Sequence, residues 1–204
     1  PILKTDSKKI LFVSTGGFLP RKGFDVLLKA WELEFCDMKT AELVMHSSYE
    51  LGYDEQDIAL MENIVKHCSN VRWIRGKWLP TKEHEELVLG ADIYVSPVRA
   101  EGFGLPILEA MLRGQQVVTT AGGAPADFLN STIAYTIDGS PDICTKKPCT
   151  KDGRSLCVLF PCENGECACT PLVEKAHWVE PNLEQTRSAM LLAYNDMLHS
   201  KPRL

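Results

Sequence analysis

Apolar residues fall in short runs and in helical steps along the first 137 positions. Ile10 to Ser14 is an apolar run bounded by lysine and glycine, which reads as a buried strand. Gly16 to Gly23 is rich in turn formers and reads as a loop. Phe24, Leu27, Leu28 and Trp31 then recur at i, i+3, i+4 and i+7, the stripe of an amphipathic helix reaching Phe35. Four more strands are predicted over residues 42–46, 71–75, 92–96 and 116–119. Helices separate them. Ile58, Met61, Ile64 and Val65 mark one that ends near Cys68 to Asn70. Thr81 is placed as the N-cap of a second, which reaches Leu89. Leu105, Leu108, Glu109 and Leu112 lie along a third, over residues 104–113. Strand and helix alternating at roughly 20–25 residues per unit predict βαβ units and a parallel sheet. Right-handed crossovers then place helices on both faces. The expected fold is α/β: a Rossmann-like, doubly wound, mostly parallel sheet, which binds ligands beyond the carboxyl ends of its strands.

From Asp138 to about Lys175 the pattern stops. The segment is polar and rich in Cys, Pro, Gly and Lys, and reads as an insertion over residues 138–175 within a single domain of residues 1–204. A last helix follows. Asn182 is its expected cap, with Gln185 as the return partner, and Leu183, Thr186, Met190, Tyr194 and Met197 lie near one face. No internal repeat is present.

With 204 residues the chain buries a core without staples. Lys and Arg number 22 against 27 Asp and Glu, a net charge of −5, which counts against a general nucleic-acid binder. No run approaches the roughly 18 apolar residues of a membrane span. Pro1 to Lys9 hold neither a signal-peptide core nor an initiator Met, so the chain reads as an excised or processed piece, and its compartment stays open. Eight cysteines change the picture most. Cys36 and Cys68 stand alone, while Cys144, Cys149, Cys157, Cys162, Cys167 and Cys169 fall together inside the insertion.

Three segments after strands carry candidate chemistry. Gly16 and Gly17 let backbone approach a ligand, and Arg21, Lys22 and Gly23 follow at a helix start, which suits a phosphate. The glycine pattern is neither a dinucleotide fingerprint nor a P-loop, and a tight turn with a solvated basic pair would look the same. Glu101 is followed by Gly102, Phe103, Gly104 and Leu105, with Glu109 about one turn into the helix. The free N–H groups of Phe103, Gly104 and Leu105 suit an anion. Carboxylates on either side of that anion site suit hydroxyl-rich groups flanking a phosphate, the layout of a nucleoside diphosphate sugar. A charged first turn with Glu109 on a solvated face is the bland alternative. Lys77, Trp78 and Leu79 follow the third strand and could meet a base, although Trp78 could equally pack on its own domain. His46 could touch a nucleotide or serve as a strand-end core residue. His67, His84, His177 and His199 form no ligand spacing, and no metal site is expected.

Residues 9–130 resemble the C-terminal, donor-binding domain of retaining glycosyltransferases of the GT-B fold, the group 1 or E-x7-E family. The carriers are residues 21–30 (Arg-Lys-Gly-Phe-Asp-Val-Leu-Leu-Lys-Ala), 91–97 (Ala-Asp-Ile-Tyr-Val-Ser-Pro), the Glu101-x7-Glu109 motif, and 117–123 (Val-Val-Thr-Thr-Ala-Gly-Gly). Residues 177–181 and the helix after them resemble this family's ending. The resemblance implies that Lys22 neutralises the donor diphosphate, Glu101 holds the donor sugar and Glu109 the ribose. It implies that the N–H groups of Phe103 to Leu105 stabilise the leaving group, with Lys77 to Leu79 at the base and no metal cofactor. Lys22 and Glu101 are thus the candidate catalytic residues. Where the family commonly carries an arginine five positions before the lysine, this chain has Gly17, so Arg21 or backbone N–H groups would take that part. The family's N-terminal half, which holds the acceptor, has no counterpart here. One half alone would bind a donor and transfer little or nothing.

The insertion spacing, C-x4-C-x7-C-x4-C-x4-C-x-C, lacks the C-x2-C knuckle of zinc sites. Two or three disulfides in a secretory lumen are expected, and Asn130, in Asn-Ser-Thr, is a candidate glycosylation acceptor in keeping with that. In a cytoplasmic parent, free thiols or an irregular zinc site would be expected instead. A second function class also fits: a non-catalytic Rossmann-like module whose cysteine-rich arm binds another protein. Loss of donor binding that is indifferent to Glu101→Ala would separate the two.

Overall fold

Leu11, Phe12 and Val13 send large apolar side chains to alternate faces, so their strand must lie inside the sheet with helices on both sides. The computed structural model describes residues 9–50, 52–53, 55–142, 162–163, 166–167 and 178–199. In chain order the elements are β1 (Ile10–Phe18), α1 (Phe24–Glu34), β2 (Ala41–Glu50), α2 (Glu55–His67), β3 (Val71–Arg75) and α3 (Thr81–Leu89). Then come β4 (Ile93–Ser96), α4 (Leu105–Leu112), β5 (Gln116–Thr120), β6 (Tyr135–Ile137) and β7 (Gly139–Asp142). Last come β8 (Cys162–Glu163), β9 (Glu166–Cys167), β10 (Trp178–Pro181) and α5 (Leu183–Leu198). β1 to β6 form one parallel sheet in the order β3-β2-β1-β4-β5-β6. The order reverses between β1 and β4, and a crevice opens beyond their carboxyl ends.

Strand alternation sorts the core into two faces. Phe12, Leu43, Met45, Ile93 and Val95 pack with Leu27, Leu28 and Trp31 of α1, Met61 and Ile64 of α2, and Met190 and Tyr194 of α5. On the other face, Leu11, Val13 and Val44 meet Leu87 of α3, while Tyr94 and Val117 meet Ile107 and Ala110 of α4. Trp31 is fully buried between Phe12 and Phe35, and its indole N–H donates to Asn70 at 3.0 Å. The Asn70 amide in turn donates to the carbonyls of Phe35 and Met38.

Several boundaries depart from the sequence reading. β1 does not end at Ser14: Gly16 to Phe18 stay extended because β2 runs on to Glu50 and supplies backbone partners. Thr81 is the first residue of α3, and Pro80 occupies the cap position without a side-chain bond. Asn182 caps α5, accepting from Gln185 N at 3.0 Å. Gln185 does not return the bond; its Oε1 accepts from Asp138 N at 2.7 Å, tying the last helix to the end of β6. β6 has only three residues, too few to show a period.

Cys36 and Cys68, expected to stand alone, are bonded to each other, with Cα atoms 4.8 Å apart and a sequence separation of 32. The bridge joins the chain just beyond the ends of α1 and α2, next to Asn70. Local spacing could not pair them, because the fold alone brings the two helix ends together. Replacing both with alanine should cost about 3.7 kcal/mol, by closure of a loop of this length. Urea unfolding with and without reductant checks this, and reduction should reproduce the double variant's midpoint. Of the insertion's cysteines, Cys144, Cys149, Cys157 and Cys169 lie outside the described residues. Cys162 and Cys167 are register partners in the small β8–β9 hairpin. β7 and β10 pair antiparallel, with Asp142 opposite Trp178.

Candidate functional site

The loop after β1 and the loop after β4 meet at the reversal point of the sheet. Pro20 to Lys22 form a single 3-10 turn, closed by Gly23 at φ 70°. A Cβ there would lie 1.9 Å from the Pro97 carbonyl oxygen, so only glycine lets the two loops close up. A backbone bond and a side-chain bond then join them: Arg99 N donates to Arg21 O at 2.8 Å, and Arg21 Nη1 donates to Ala100 O at 3.2 Å. The result brings together two residues 79 apart in sequence. The Lys22 ammonium donates to the Glu101 carboxylate, with side chains 13% and 14% exposed. Arg21 stands 3.7 Å from the same carboxylate.

α4 begins beside this pair. Gly104 is its N-cap, with no side-chain bond to the first N–H groups, and Leu105 and Pro106 open the helix. Phe103 and Leu105 are exposed. Glu109 lies in the second turn, 3.5 Å from Arg113. It forms part of the wall of a pocket of about 330 Å³ shared with Thr15, Gly16, His46, Trp78 and His84. Trp78 is 79% exposed, which rules out its packing into its own domain's core. Leu79 is 4% exposed, packs in the core with Leu87 of α3, and lines the pocket. Lys77 is exposed, and its carbonyl accepts from His46 Nε2 at 2.8 Å. Of the expected residues, Gly16, Trp78, Leu79 and Glu109 line this pocket, while Lys22 lies against Gly16 and holds Glu101, and Phe103, Gly104 and Leu105 lead from Glu101 into α4. Gly17 lies under the ring of Tyr49, and neither residue lines the pocket. Asn130 is exposed in a turn, where its Oδ1 accepts from Thr132 N at 2.9 Å.

Three groups escaped the sequence reading. His84 was set aside as scattered, yet its ring meets His46 edge-on at 5.5 Å across the pocket. Tyr94 is buried, and its hydroxyl is 3.2 Å from Thr15 Oγ1. Burial, with the Glu101 and Glu109 charges nearby, outweighs the Thr15 hydrogen bonds and pushes the phenol up to about 12. Arg99 was passed over altogether. Its guanidinium spends all five N–H donors: on Glu180 at 2.5 and 2.7 Å, on Asp25 at 2.8 and 2.7 Å, and on Pro20 O at 2.6 Å. Among the described residues, no three His, Cys, Asp or Glu side chains cluster as a metal site, and no helix is long and apolar enough to cross a membrane.

His46 is buried, and that burial holds its imidazole below the usual range; the bond to Lys77 O opposes the shift and His84 adds to it. A histidine neutral in the fold and free to protonate when unfolded stabilises fully above about pH 6.5, and that contribution is lost as pH falls. Thermal melts from pH 7.5 to 5.5 should thus fall more steeply for the natural chain than for His46→Gln, whose amide can still donate to Lys77 O. Parallel curves would show that His46 does not carry the titration.

Residues 7–143 match the family model described as "Glycosyl transferases group 1". Among curated proteins, a sucrose synthase of Melioribacter roseus is 34% identical over 96 residues, 44% of this chain and 12% of that protein. An O-antigen chain mannosyltransferase B of Escherichia coli is 33% identical over 104 residues, 50% of this chain and 26% of that protein. The matched stretch is thus about a quarter or less of either relative. Among solved structures, WaaG, a glycosyltransferase involved in lipopolysaccharide biosynthesis, superposes with a TM-score of 0.61 at 18% identity, over 96% of this chain and 40% of that one. The C-terminal domain of a glycosyl transferase group 1 family protein from Francisella tularensis gives 0.53 at 23% identity, over 62% and 67%. At such identities these likenesses speak for the fold.

Proposed function

Because the chain belongs to the group 1 glycosyltransferases, we propose that it is the donor-binding half of a retaining enzyme that moves a sugar from a nucleoside diphosphate to an acceptor. The observation that carries this reading is the Lys22–Glu101 contact at the sheet's reversal point, beside the open N-terminus of α4. Lys22 and the first N–H groups of α4 meet the diphosphate and stabilise it as charge develops on its departure. Glu101 accepts from hydroxyls of the donor sugar. Glu109, on the pocket wall, accepts from the ribose, and the exposed Trp78 face offers the base a surface. The positive groups here do the work a metal does elsewhere, so binding should persist in a chelator. An N-terminal half of the parent supplies the acceptor, and the exposed Trp78, Phe103 and Leu105 support a partner surface across the crevice. The Cys36–Cys68 bond supports a disulfide-permitting compartment such as a secretory lumen.

Calorimetric titration of the chain with UDP-, GDP- and ADP-sugars tests the reading. Saturable binding to one base, weakened by Glu101→Ala and by Glu109→Ala, is the expected result and names the nucleotide. No binding to any of them, with Glu101→Ala indistinguishable from the natural chain, would instead mark a non-catalytic module.

A further inference from the structure

β1 and β2 pair residue for residue from Ile10 opposite Ala41 to Gly16 opposite Ser47, and the next pair is Phe18 opposite Glu50. Two residues of β2, Ser48 and Tyr49, therefore face Gly17 alone. An extra residue in one strand bends it and re-aims its side chains, and such bulges recur beside active sites. Here the bulge lays the Tyr49 ring over Gly17. A Cβ on residue 17 would sit 2.4 Å from Tyr49 Cζ and 2.7 Å from the phenol oxygen. Only glycine fits beneath that ring. Gly16, one residue earlier, is covered by Lys22, whose Cε lies 3.5 Å from the matching position. Consecutive glycines thus seat an ammonium-tipped arm and a hydroxyl-tipped arm on the same short backbone segment. Ser48 lines the pocket, and Tyr49 is 51% exposed, with no hydrogen-bond partner for its hydroxyl among the described residues.

We propose that Tyr49 is a second group binding the donor's diphosphate, its hydroxyl donating to a phosphate oxygen beside Lys22, and that Gly17 is the seat that holds its ring there. This rests on the nucleotide-sugar reading. It explains why a bulge and a side-chain-free position coincide at this edge of the crevice. It also makes the grip partly neutral: a phenol donates one hydrogen bond without adding a second positive charge.

The test is calorimetric titration of the full chain with UDP-glucose, GDP-mannose and ADP-glucose, and with each nucleoside diphosphate alone. Tyr49→Phe keeps the ring over Gly17 and should leave the melting temperature unchanged. It should weaken sugar nucleotide and plain diphosphate alike by about tenfold, the scale of a lost hydrogen bond to a charged acceptor. Gly17→Ala, which must push the ring aside, should lose a similar factor alone and nothing further when added to Tyr49→Ala. If Tyr49→Phe binds like the natural chain while Lys22→Ala does not, the proposal falls and the donor reading stands. A loss confined to the sugar nucleotide also overturns it, because the hydroxyl then serves the sugar. If no probe binds the natural chain, both fall together.

Discussion

Arg99→Met is expected to lower the unfolding free energy by about 3 kcal/mol, the scale for stripping one partner from a largely buried ion pair. The side chain is 10% exposed and clamps three separate stretches: Asp25 at the start of α1, Pro20 in the turn before it, and Glu180 in β10. Methionine fills much of the volume but leaves two carboxylates facing each other. For Asp25, burial alone would raise the carboxyl; the Arg99 hydrogen bonds and charge, with the Tyr53 hydroxyl at 2.7 Å, outweigh it and hold it below the usual range. That contribution is present above the unfolded value near pH 3.9 and is lost as pH falls through the folded one. In the variant the sign reverses. With only the Tyr53 hydroxyl and a backbone bond left to oppose burial, the largest influence, Asp25 moves up and favours the fold on its protonated side. The gap between natural chain and variant should therefore narrow from pH 7 to pH 4.5. Urea midpoints at the two values measure it, and a gap under about 1 kcal/mol at pH 7 would sink the idea. Arg99→Lys, which keeps the charge but not the five-donor fork, should fall between. Because Arg99 also fixes the backbone on which Lys22 and Glu101 ride, Arg99→Lys should weaken donor binding at temperatures where it is fully folded.

Lys22→Ala is expected to cut donor affinity by about a hundredfold or more, since charge-assisted bonds to phosphate are strong and their loss here leaves Glu101 with only the longer Arg21 contact. The Lys22 ammonium is held by Glu101, so a diphosphate at this site would compete with that carboxylate for the same cation. This yields opposite signs for two ligands. Glu101→Gln should bind a plain nucleoside diphosphate as well as or better than the natural chain, because the lysine is released. The same variant should bind the sugar nucleotide less well, because the sugar loses its acceptor. Parallel titrations of Glu101→Gln against UDP and UDP-glucose, or whichever base binds, read both signs. Equal weakening of the two would place Glu101 on the diphosphate itself and contradict its assignment to the sugar.

The succession of strands and helices, and the position of Lys22 and Glu101 in loops that follow strands, were legible because they depend on short-range signals. Apolar runs such as Leu11 to Val13 and stripes such as Phe24 to Trp31 announce their elements within a few residues. The elements, once ordered, put the loops after β1 and β4 side by side. What escaped depends on distant partners. Gly16 and Gly17 look like a turn until β2 is known to run beside them. Cys36 has no reason to choose Cys68 until α1 and α2 end together. Arg99 is one charged residue among many until Asp25 and Glu180, 74 and 81 positions away, close around it. Tyr49 lies beyond the strand predicted over residues 42–46, and a bulge leaves no mark in a hydrophobic pattern. Trp78 was undecidable from its neighbours, since exposure is a property of the finished surface.

The β7–β10 pairing sets how freely this fold can change length. The chain leaves the sheet region at Asp142 and is back at Trp178, directly opposite, about 5 Å away as antiparallel partners are. Whatever lies between starts and finishes at one doorway, which is latched from inside: Val179 N donates to Arg99 O at 2.9 Å, and Glu180 closes on the Arg99 guanidinium. The closure entropy of the intervening chain grows only with the logarithm of its length, so a doubling costs about 0.6 kcal/mol. The doorway is therefore a port at which sequence can be gained or lost without passing strain to the crevice.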